Sequence, residues 1–193
     1  PRLEHRADFP RDEEADRGSP SGEVVDPPPR AEMIQRVRFE QWIPVPLDRV
    51  FHFFSNPTNL PRLMPPELAA EIRRIEGGSS ASAGVGTQIT LSVRLLPPLP
   101  LRASWVARIV EFEPGSHFTD VQVKGPFRHW RHRHEFESAR RAEVDGTFVR
   151  DDLEYEVGFG RLGDAVARWF VADRLRHTFQ ERQRRLEDLL RHP

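Results

Sequence analysis

The sequence of 193 residues contains no cysteine. Disulfide bonds, thiolate metal ligands and thiol redox chemistry are therefore excluded. Lysine is nearly absent as well, because Lys124 is the only one, and the arginines and acids leave a formal net charge of −1. No global field draws such a chain toward nucleic acid or an anionic membrane, so we expect no nucleic-acid partner.

Long hydrophobic runs are also missing. No window approaches the roughly 18 consecutive apolar residues of a membrane helix, so we expect no membrane span. We expect a soluble, cytoplasmic protein, although a chain that begins with Pro1 gives little information about signal peptides. No nucleotide, flavin or other cofactor signature is present, so the sequence predicts no cofactor.

Residues 1–33 are poor in apolar side chains and hold six of the 18 prolines, nine acids and five arginines. Such a segment cannot bury enough apolar surface to offset its chain entropy, so we expect a disordered tail or linker. An interaction arm is the alternative. Residues 34–191 then form one domain, and an upstream fused domain or a homodimer is left open as a further partner.

The order of predicted elements indicates an α+β domain. A first strand over residues 37–43 precedes two short helical segments, and six further strands precede a helix over residues 163–190. Tight turns between consecutive strands favour antiparallel pairing, because parallel strands would need long crossovers. A long sheet twists and curls, so a helix across its concave side leaves a space. The apolar stripe predicted to face that space is Val166, Trp169, Phe170, Ala172, Leu175, Phe179, Leu186 and Leu189.

One predicted strand carries an indole and two imidazoles on a single face. It follows the turn residues Gly125 and Pro126 and alternates with a period of two. Its charged face, which must meet water, is His129, Arg131, Arg133 and Glu135. Its other face is Trp130, His132, His134 and Phe136. Buried imidazoles are costly without polar partners, so we expect this inner face to border a cavity with a polar patch.

His132 and His134 are candidates for three roles. With a third ligand, for which Asp151 and Asp120 are possible, they could hold zinc, but the sequence does not define that third position, so we expect no metal. A neutral imidazole held by Asp151 could act as a general acid or base, and both histidines and Asp151 are the candidate catalytic residues. The interpretation we favour is a cavity lining in which a carboxylate or water satisfies both rings.

The position of Asp120 depends on the turn before the histidine strand. A two-residue loop would place it opposite Arg131 on the outer face, as an exposed ion pair of small value. A three-residue loop would place it opposite Trp130, inside the cavity. A one-residue shift of register changes the face, and both arrangements remain open.

Three further aromatic residues are candidate ligand contacts. Tyr155, the only tyrosine, shares a face with Asp151 and could donate to a ligand oxygen or pack against the strand of Trp130. Trp105 and Phe118 are typical of core positions and could also line a cavity wall. The arginines of the last helix, Arg182 among them, are interleaved with acids, which indicates a solvated helix face rather than a nucleic-acid surface.

Several short motifs in order resemble the SRPBCC superfamily, which groups START lipid-transfer domains, pollen allergens and polyketide cyclases. Within it the chain is similar to bacterial cyclase/dehydrase-type proteins, often labelled cell-division-inhibitor-like. The matching segments are residues 43–46, 50–54, 59–60, 65–66, 118–122, 125–127, 130–136, 146–147 and 151–155, together with Trp105. The resemblance implies the helix-grip fold, in which a curved antiparallel sheet wraps around a long C-terminal helix and two short helices follow the first strand.

The resemblance also implies a hydrophobic ligand cavity, but this fold hosts binding, transfer and catalysis alike. We therefore expect a domain that binds an apolar or aromatic small molecule. A polyketide cyclase or dehydratase that uses acid–base catalysis is one alternative, and a protein-interaction module with a vestigial cavity is another. The predicted ligand-binding residues are Trp105, Phe118, Trp130, His132, His134 and Tyr155.

Overall fold

The computed structural model describes residues 34–78, 82–94, 99–158 and 160–191. The predicted tail over residues 1–33 lies outside them. In the part of the chain that the structure describes, no helix is both long and apolar enough to cross a bilayer.

The described elements follow the predicted α+β order. The strands are β1 (Gln35–Ile43), β2 (Glu71–Glu76), β3 (Gln88–Arg94), β4 (Arg102–Glu113), β5 (His117–Lys124), β6 (Phe127–Arg141) and β7 (Val144–Val157). The helices are α1 (Leu47–Ser55), α2 (Leu60–Leu63) and α3 (Gly160–Arg191), with single 3₁₀ turns at Pro57–Asn59 and Pro66–Leu68. Two short α-helices after the first strand and a long terminal helix confirm the predicted arrangement.

All seven strands form one curved antiparallel sheet in the order β1-β7-β6-β5-β4-β3-β2. Strands β2 to β7 are neighbours in sequence order, and β1 pairs with β7, with Ile43 opposite Thr147. The short helices therefore connect the two edges of the sheet. Register shifts interrupt the pairing of β4 with β5, and such bulges increase the local twist and bend of a sheet.

Helix α1 fixes one end of the domain. Pro46 precedes its first turn, where a residue without a backbone N–H loses no helical hydrogen bond. Val50 and Phe51 are buried, and the ring of Phe51 meets that of Phe136 on β6 edge to face at 5.3 Å. Leu186 and Leu190 of α3 belong to the same core cluster. The C-terminal end of α3 thereby shares one apolar cluster with α1 and the sheet.

Further toward its N-terminus, α3 lies over β1 and β7. Phe179 is 2% exposed and stacks on Phe39 with ring centres 4.3 Å apart. Val171 and Leu175 continue this row toward Trp130. Trp169, placed in the apolar stripe by the sequence, is instead 74% exposed. It precedes Val171 by two residues, and two residues turn a helix by about 200°.

Candidate ligand-binding site

A cavity of about 430 Å³ lies between α3, the short helical segments and the inner face of the sheet. Its surface is mostly apolar, and its lining includes Leu60, Met64, Leu91, Ile109, Val171 and Leu175. The curvature of the sheet leaves this space because α3 touches the sheet mainly over β1 and β7. The sequence predicted a ligand cavity in this place, and the binding of a ligand there stays a prediction.

Aromatic side chains form one part of the cavity wall. The indole rings of Trp105 and Trp130 meet edge to face with centres 4.8 Å apart. The ring of Phe127 lies 4.8 Å from Trp130 and 5.6 Å from Trp105. All three residues line the cavity, and each of them is held by the others. A flat apolar ligand would find a rigid aromatic surface at this wall.

The polar part of the wall is the inner face of β6. His132 and His134 are 3% and 4% exposed, and their ring centres are 3.9 Å apart. Both residues line the cavity. The outer face of the same strand carries Arg131 and Arg133, which form ion pairs with Glu111. The alternation predicted for this strand is therefore the one that the structure has.

A buried carboxylate holds the histidine rings from β7. Asp151 pairs with His134 along the sheet, and its Oδ1 forms a 3.0 Å hydrogen bond with His132 Nε2. The same oxygen lies 2.7 Å from His134 Nδ1, but that nitrogen is not aligned for a hydrogen bond and has no other partner. Asp151 is thus shared by both rings and is not itself a lining residue of the cavity.

A second carboxylate faces the other ring nitrogens. Asp120 on β5 pairs with His132, and its Oδ2 lies 3.8 Å from His132 Nδ1 and 3.5 Å from His134 Nε2. Asp120 lines the cavity. The question that the sequence left open is therefore answered: Asp120 is on the inner face, although its partner is His132 rather than Trp130.

These charges make the two histidines unequal. Burial lowers the pKa of His132, and the neighbouring His134 lowers it further. Burial also acts to lower the pKa of His134, but Asp120 and Asp151 outweigh it and raise that pKa above its ordinary value. Burial acts to raise the pKa of Asp151, but His132, His134 and Arg182 hold it well below its usual range. Asp151 is therefore ionised at neutral pH.

Arg182 corrects the interpretation of α3 as a helix with only solvated arginines. It is 9% exposed, lines the cavity, and its guanidinium lies 4.9 Å from the centre of the Phe179 ring. The sequence did not predict that Arg182 is buried, because an arginine within an apolar stripe is usually taken to lie at the edge of the stripe, in contact with solvent. Arg94 and Arg174 also line the cavity and were not predicted.

Of the two roles expected for Tyr155, the structure shows the packing against the strand of Trp130. It is buried and packs against Phe127 at 6.0 Å between ring centres, and its hydroxyl donates to Gln35 Oε1 at 3.4 Å. It is not among the residues that line the cavity. The remaining predicted contacts lie on the cavity wall: Trp105, Phe118, Trp130, His132 and His134. Ligand binding by these residues stays a prediction.

One group of side chains in the described part of the chain could hold a metal ion. The ligand atoms of Asp120, His132 and His134 all lie within 4.8 Å of one another. The sequence offered Asp120 and Asp151 as possible third ligands, and the pairing of β5 with β6 places Asp120 in this group.

A curved antiparallel sheet that grips a long C-terminal helix, with a cavity between them, defines a helix-grip protein. The profile of the family described as polyketide cyclase / dehydrase and lipid transport matches residues 43–184. The chain belongs to this family, which confirms the resemblance seen in its motifs. Its domain is therefore of a type that binds hydrophobic ligands. No curated protein matches the sequence at a significant level.

Solved structures share the fold at low sequence identity. Protein TTHA0849 from Thermus thermophilus is 22% identical, with a TM-score of 0.57 over 80% of this chain and 95% of that one. Ara h 8.0201 is 15% identical, with a TM-score of 0.55 over 83% and 99%. Protein NE0264 from Nitrosomonas europaea is 10% identical, with a TM-score of 0.57 over 81% and 94%. At these identities the likeness concerns the fold alone.

Proposed function

We propose that this domain binds an apolar or aromatic small molecule in the cavity between α3 and the sheet. The observation that carries the proposal is the cavity itself: about 430 Å³ with a mostly apolar wall and one polar patch. Sites for small molecules commonly have volumes of about 300–1,000 Å³ and a few convergent polar groups. The family's description, which includes lipid transport, supports the same conclusion.

Affinity would come mainly from the apolar wall. A ligand that buries on the order of 300 Å² of apolar surface gains about 7 kcal/mol of binding free energy, from which the costs of association are then subtracted. Trp105, Trp130 and Phe127 form a preorganised aromatic surface, so little side-chain freedom is lost on binding.

The polar patch would set the orientation and chemistry of the ligand. Asp120, His132 and His134 face the cavity, and polar groups covered by a purely apolar ligand would lose hydration without compensation. We therefore expect a ligand with a hydroxyl, carbonyl or carboxylate at that end. Among the described lining residues, Arg94, Arg174 and Arg182 outnumber the single acid, which favours neutral or anionic ligands over cationic ones.

The test is a titration with anilinonaphthalene sulfonate, an anionic aromatic fluorophore. We expect saturable binding at one site, and a roughly tenfold loss of affinity in Trp130→Ala, since a lost aromatic contact is worth at least about 1.4 kcal/mol. Trp169→Ala is the matched control, because Trp169 is 74% exposed and does not line the cavity. Equal affinity in the two variants, or no binding across apolar neutral and anionic probes, would favour the interaction-module alternative.

A cyclase or dehydratase is the second candidate, and the family's description names both activities. The hydrogen bond between Asp151 and His132 favours it, because a carboxylate that orients one ring nitrogen directs the other toward the cavity. Turnover of a polyketide-like substrate should then be lost in His132→Gln while the melting temperature changes little. A substrate converted equally well by this variant would exclude the histidine from the reaction.

A further inference from the structure

We propose that Asp120, His132 and His134 form a site for a divalent transition-metal ion of the Zn²⁺ or Fe²⁺ type at the polar end of the cavity. This inference goes beyond ligand binding and reverses the expectation of a metal-free site. Two imidazole nitrogens and one carboxylate oxygen are a donor set that suits these ions, and three protein ligands leave positions open for an external ligand.

The distances between the ligand atoms suit such an ion. Bonds of about 2.0–2.1 Å in a tetrahedral site place neighbouring ligand atoms about 3.4 Å apart. Asp120 Oδ2 is 3.5 Å from His134 Nε2 and 3.8 Å from His132 Nδ1. All three atoms lie within 4.8 Å of one another. The two distances to Asp120 are thus close to this spacing, and the two imidazole nitrogens would have to approach each other by at most about 1.4 Å.

The opposite ring nitrogens have the partner that metal-bound histidines usually have. Ligating histidines commonly donate their second N–H to a carboxylate, which fixes the ring and its tautomer. Asp151 Oδ1 holds His132 Nε2 at 3.0 Å and lies 2.7 Å from His134 Nδ1. That last nitrogen is buried without a hydrogen-bond partner. The ring rotation that brings His134 Nε2 to an ion can also align Nδ1 with Asp151.

Two aromatic rings pack against the histidines of the proposed metal site, and the side of the site that carries Asp120 borders the cavity. The ring of Phe118 lies 4.3 Å from His134, and that of Phe179 lies 5.3 Å from His132. The Asp120 side chain is 18% exposed and borders the cavity, so an open coordination position would face a bound small molecule. An oxygen atom of that molecule would be the natural fourth ligand.

Two carboxylates flank the histidines of the proposed metal site, and a guanidinium acts on the same residues. Asp120 and Asp151 supply two carboxylates, one from each strand that neighbours β6. Arg182 is the opposing charge, because it acts electrostatically on both Asp151 and His134. Removal of this guanidinium should therefore strengthen metal binding, whereas a structural role of Arg182 alone would not change it.

The experiment uses the full chain without an affinity tag, freed of metal by a chelator and dialysed. Co²⁺ is titrated in, and its visible absorption bands report a low-coordinate nitrogen and oxygen environment. We expect one Co²⁺ per chain, displaced by one equivalent of Zn²⁺. Asp120→Asn and Asp151→Asn should each weaken the affinity roughly tenfold to a hundredfold, and Arg182→Gln should strengthen it severalfold.

Glu111→Gln is the matched control, because Glu111 is an acid that pairs with Arg131 and Arg133 on the outer face of the sheet. The affinity of the Glu111→Gln variant for Co²⁺ should equal that of the unsubstituted chain. Absence of stoichiometric Co²⁺ binding by the unsubstituted chain would overturn the proposal, and so would binding that Asp120→Asn leaves unchanged. Because the titration contains no organic ligand, its failure would leave the proposed function standing, and fluorophore binding without metal binding would identify a metal-free site.

Discussion

Asp120 and His132 face each other across β5 and β6, with Oδ2 3.8 Å from Nδ1. On the other side of the rings, Asp151 lies opposite His134 on β7. Two buried imidazoles are thus held between two carboxylates from the two neighbouring strands. A core of apolar residues would bury the same volume at lower cost, and such charged clusters are concentrated at functional sites.

Loss of the buried carboxylate should destabilise the domain far more than loss of its exposed neighbour. Asp151→Asn removes the negative charge that faces two buried rings and should lower the free energy of unfolding by about 3 kcal/mol. Asp152 forms an exposed ion pair with Arg38, so Asp152→Asn should cost less than about 1 kcal/mol. Urea denaturation measures both. Equal losses of unfolding free energy in the two variants would mean that the buried carboxylate contributes no more to stability than the exposed ion pair.

Phe179 joins α3 to the sheet. Its ring is 2% exposed and stacks on Phe39, so Phe179→Ala should lower the free energy of unfolding by about 3–5 kcal/mol through lost burial and a new void. Phe170→Ala, at a position that is 43% exposed, should cost less than about 1 kcal/mol. Thermal and urea unfolding of both variants would check this difference, which a loosely docked helix would not show.

Gly146 lies where β7 passes close to β1. A Cβ at this position would meet the carbonyl oxygen of Ile43 and would lie 2.7 Å from the ring of Trp42. Gly146→Ala should therefore destabilise the domain by about 1–3 kcal/mol through overpacking. At Gly158 a Cβ would meet only Arg128 at 3.5 Å, so Gly158→Ala should be nearly neutral. Similar melting temperatures for the two variants would contradict the close approach of β1 and β7.

The only tyrosine of the chain allows a direct test of burial. Burial raises the pKa of Tyr155, while the positive charge of Arg176 lowers it to a smaller extent. The neutral phenol is therefore favoured in the folded state, and its contribution to stability is present below the ordinary pKa of about 10 and lost as the pH rises through the folded pKa. Ultraviolet absorption of tyrosinate should appear at higher pH in the folded protein than in urea. Coincident titrations would show an exposed phenol.

The sequence predicted most of the architecture because its signals are local. Alternation on β6 placed Trp130, His132 and His134 on one face, and a 3.6-residue period identified α3. Asp151 was recognised as a partner of the histidines because β7 follows β6 through a short turn. Each of these inferences needs only the side-chain period of one element and the order of the strands.

The rest depends on how elements meet in space. The face of Asp120 depends on the length of one turn, and a shift of a single residue reverses it. The angle at which α3 crosses the sheet decides which residues it buries, so that Arg182 is buried and Trp169 is exposed. The sequence left two roles open for Tyr155, and its contact with Phe127 on the neighbouring strand depends on how β6 and β7 pair. Asp120 was one of two possible third metal ligands in the sequence, and the register of β5 and β6 places it near both histidines.

A crystal structure of the domain with bound anilinonaphthalene sulfonate tests the central claim most directly, because it locates the ligand. We expect the aromatic rings of the fluorophore to lie between α3 and the sheet, in contact with Trp130 and Phe118. Its polar atoms should point toward Asp120, His132 and His134. A probe bound only on the outer face of the sheet or on the exposed surface around Trp169, with the 430 Å³ cavity unchanged, would contradict it.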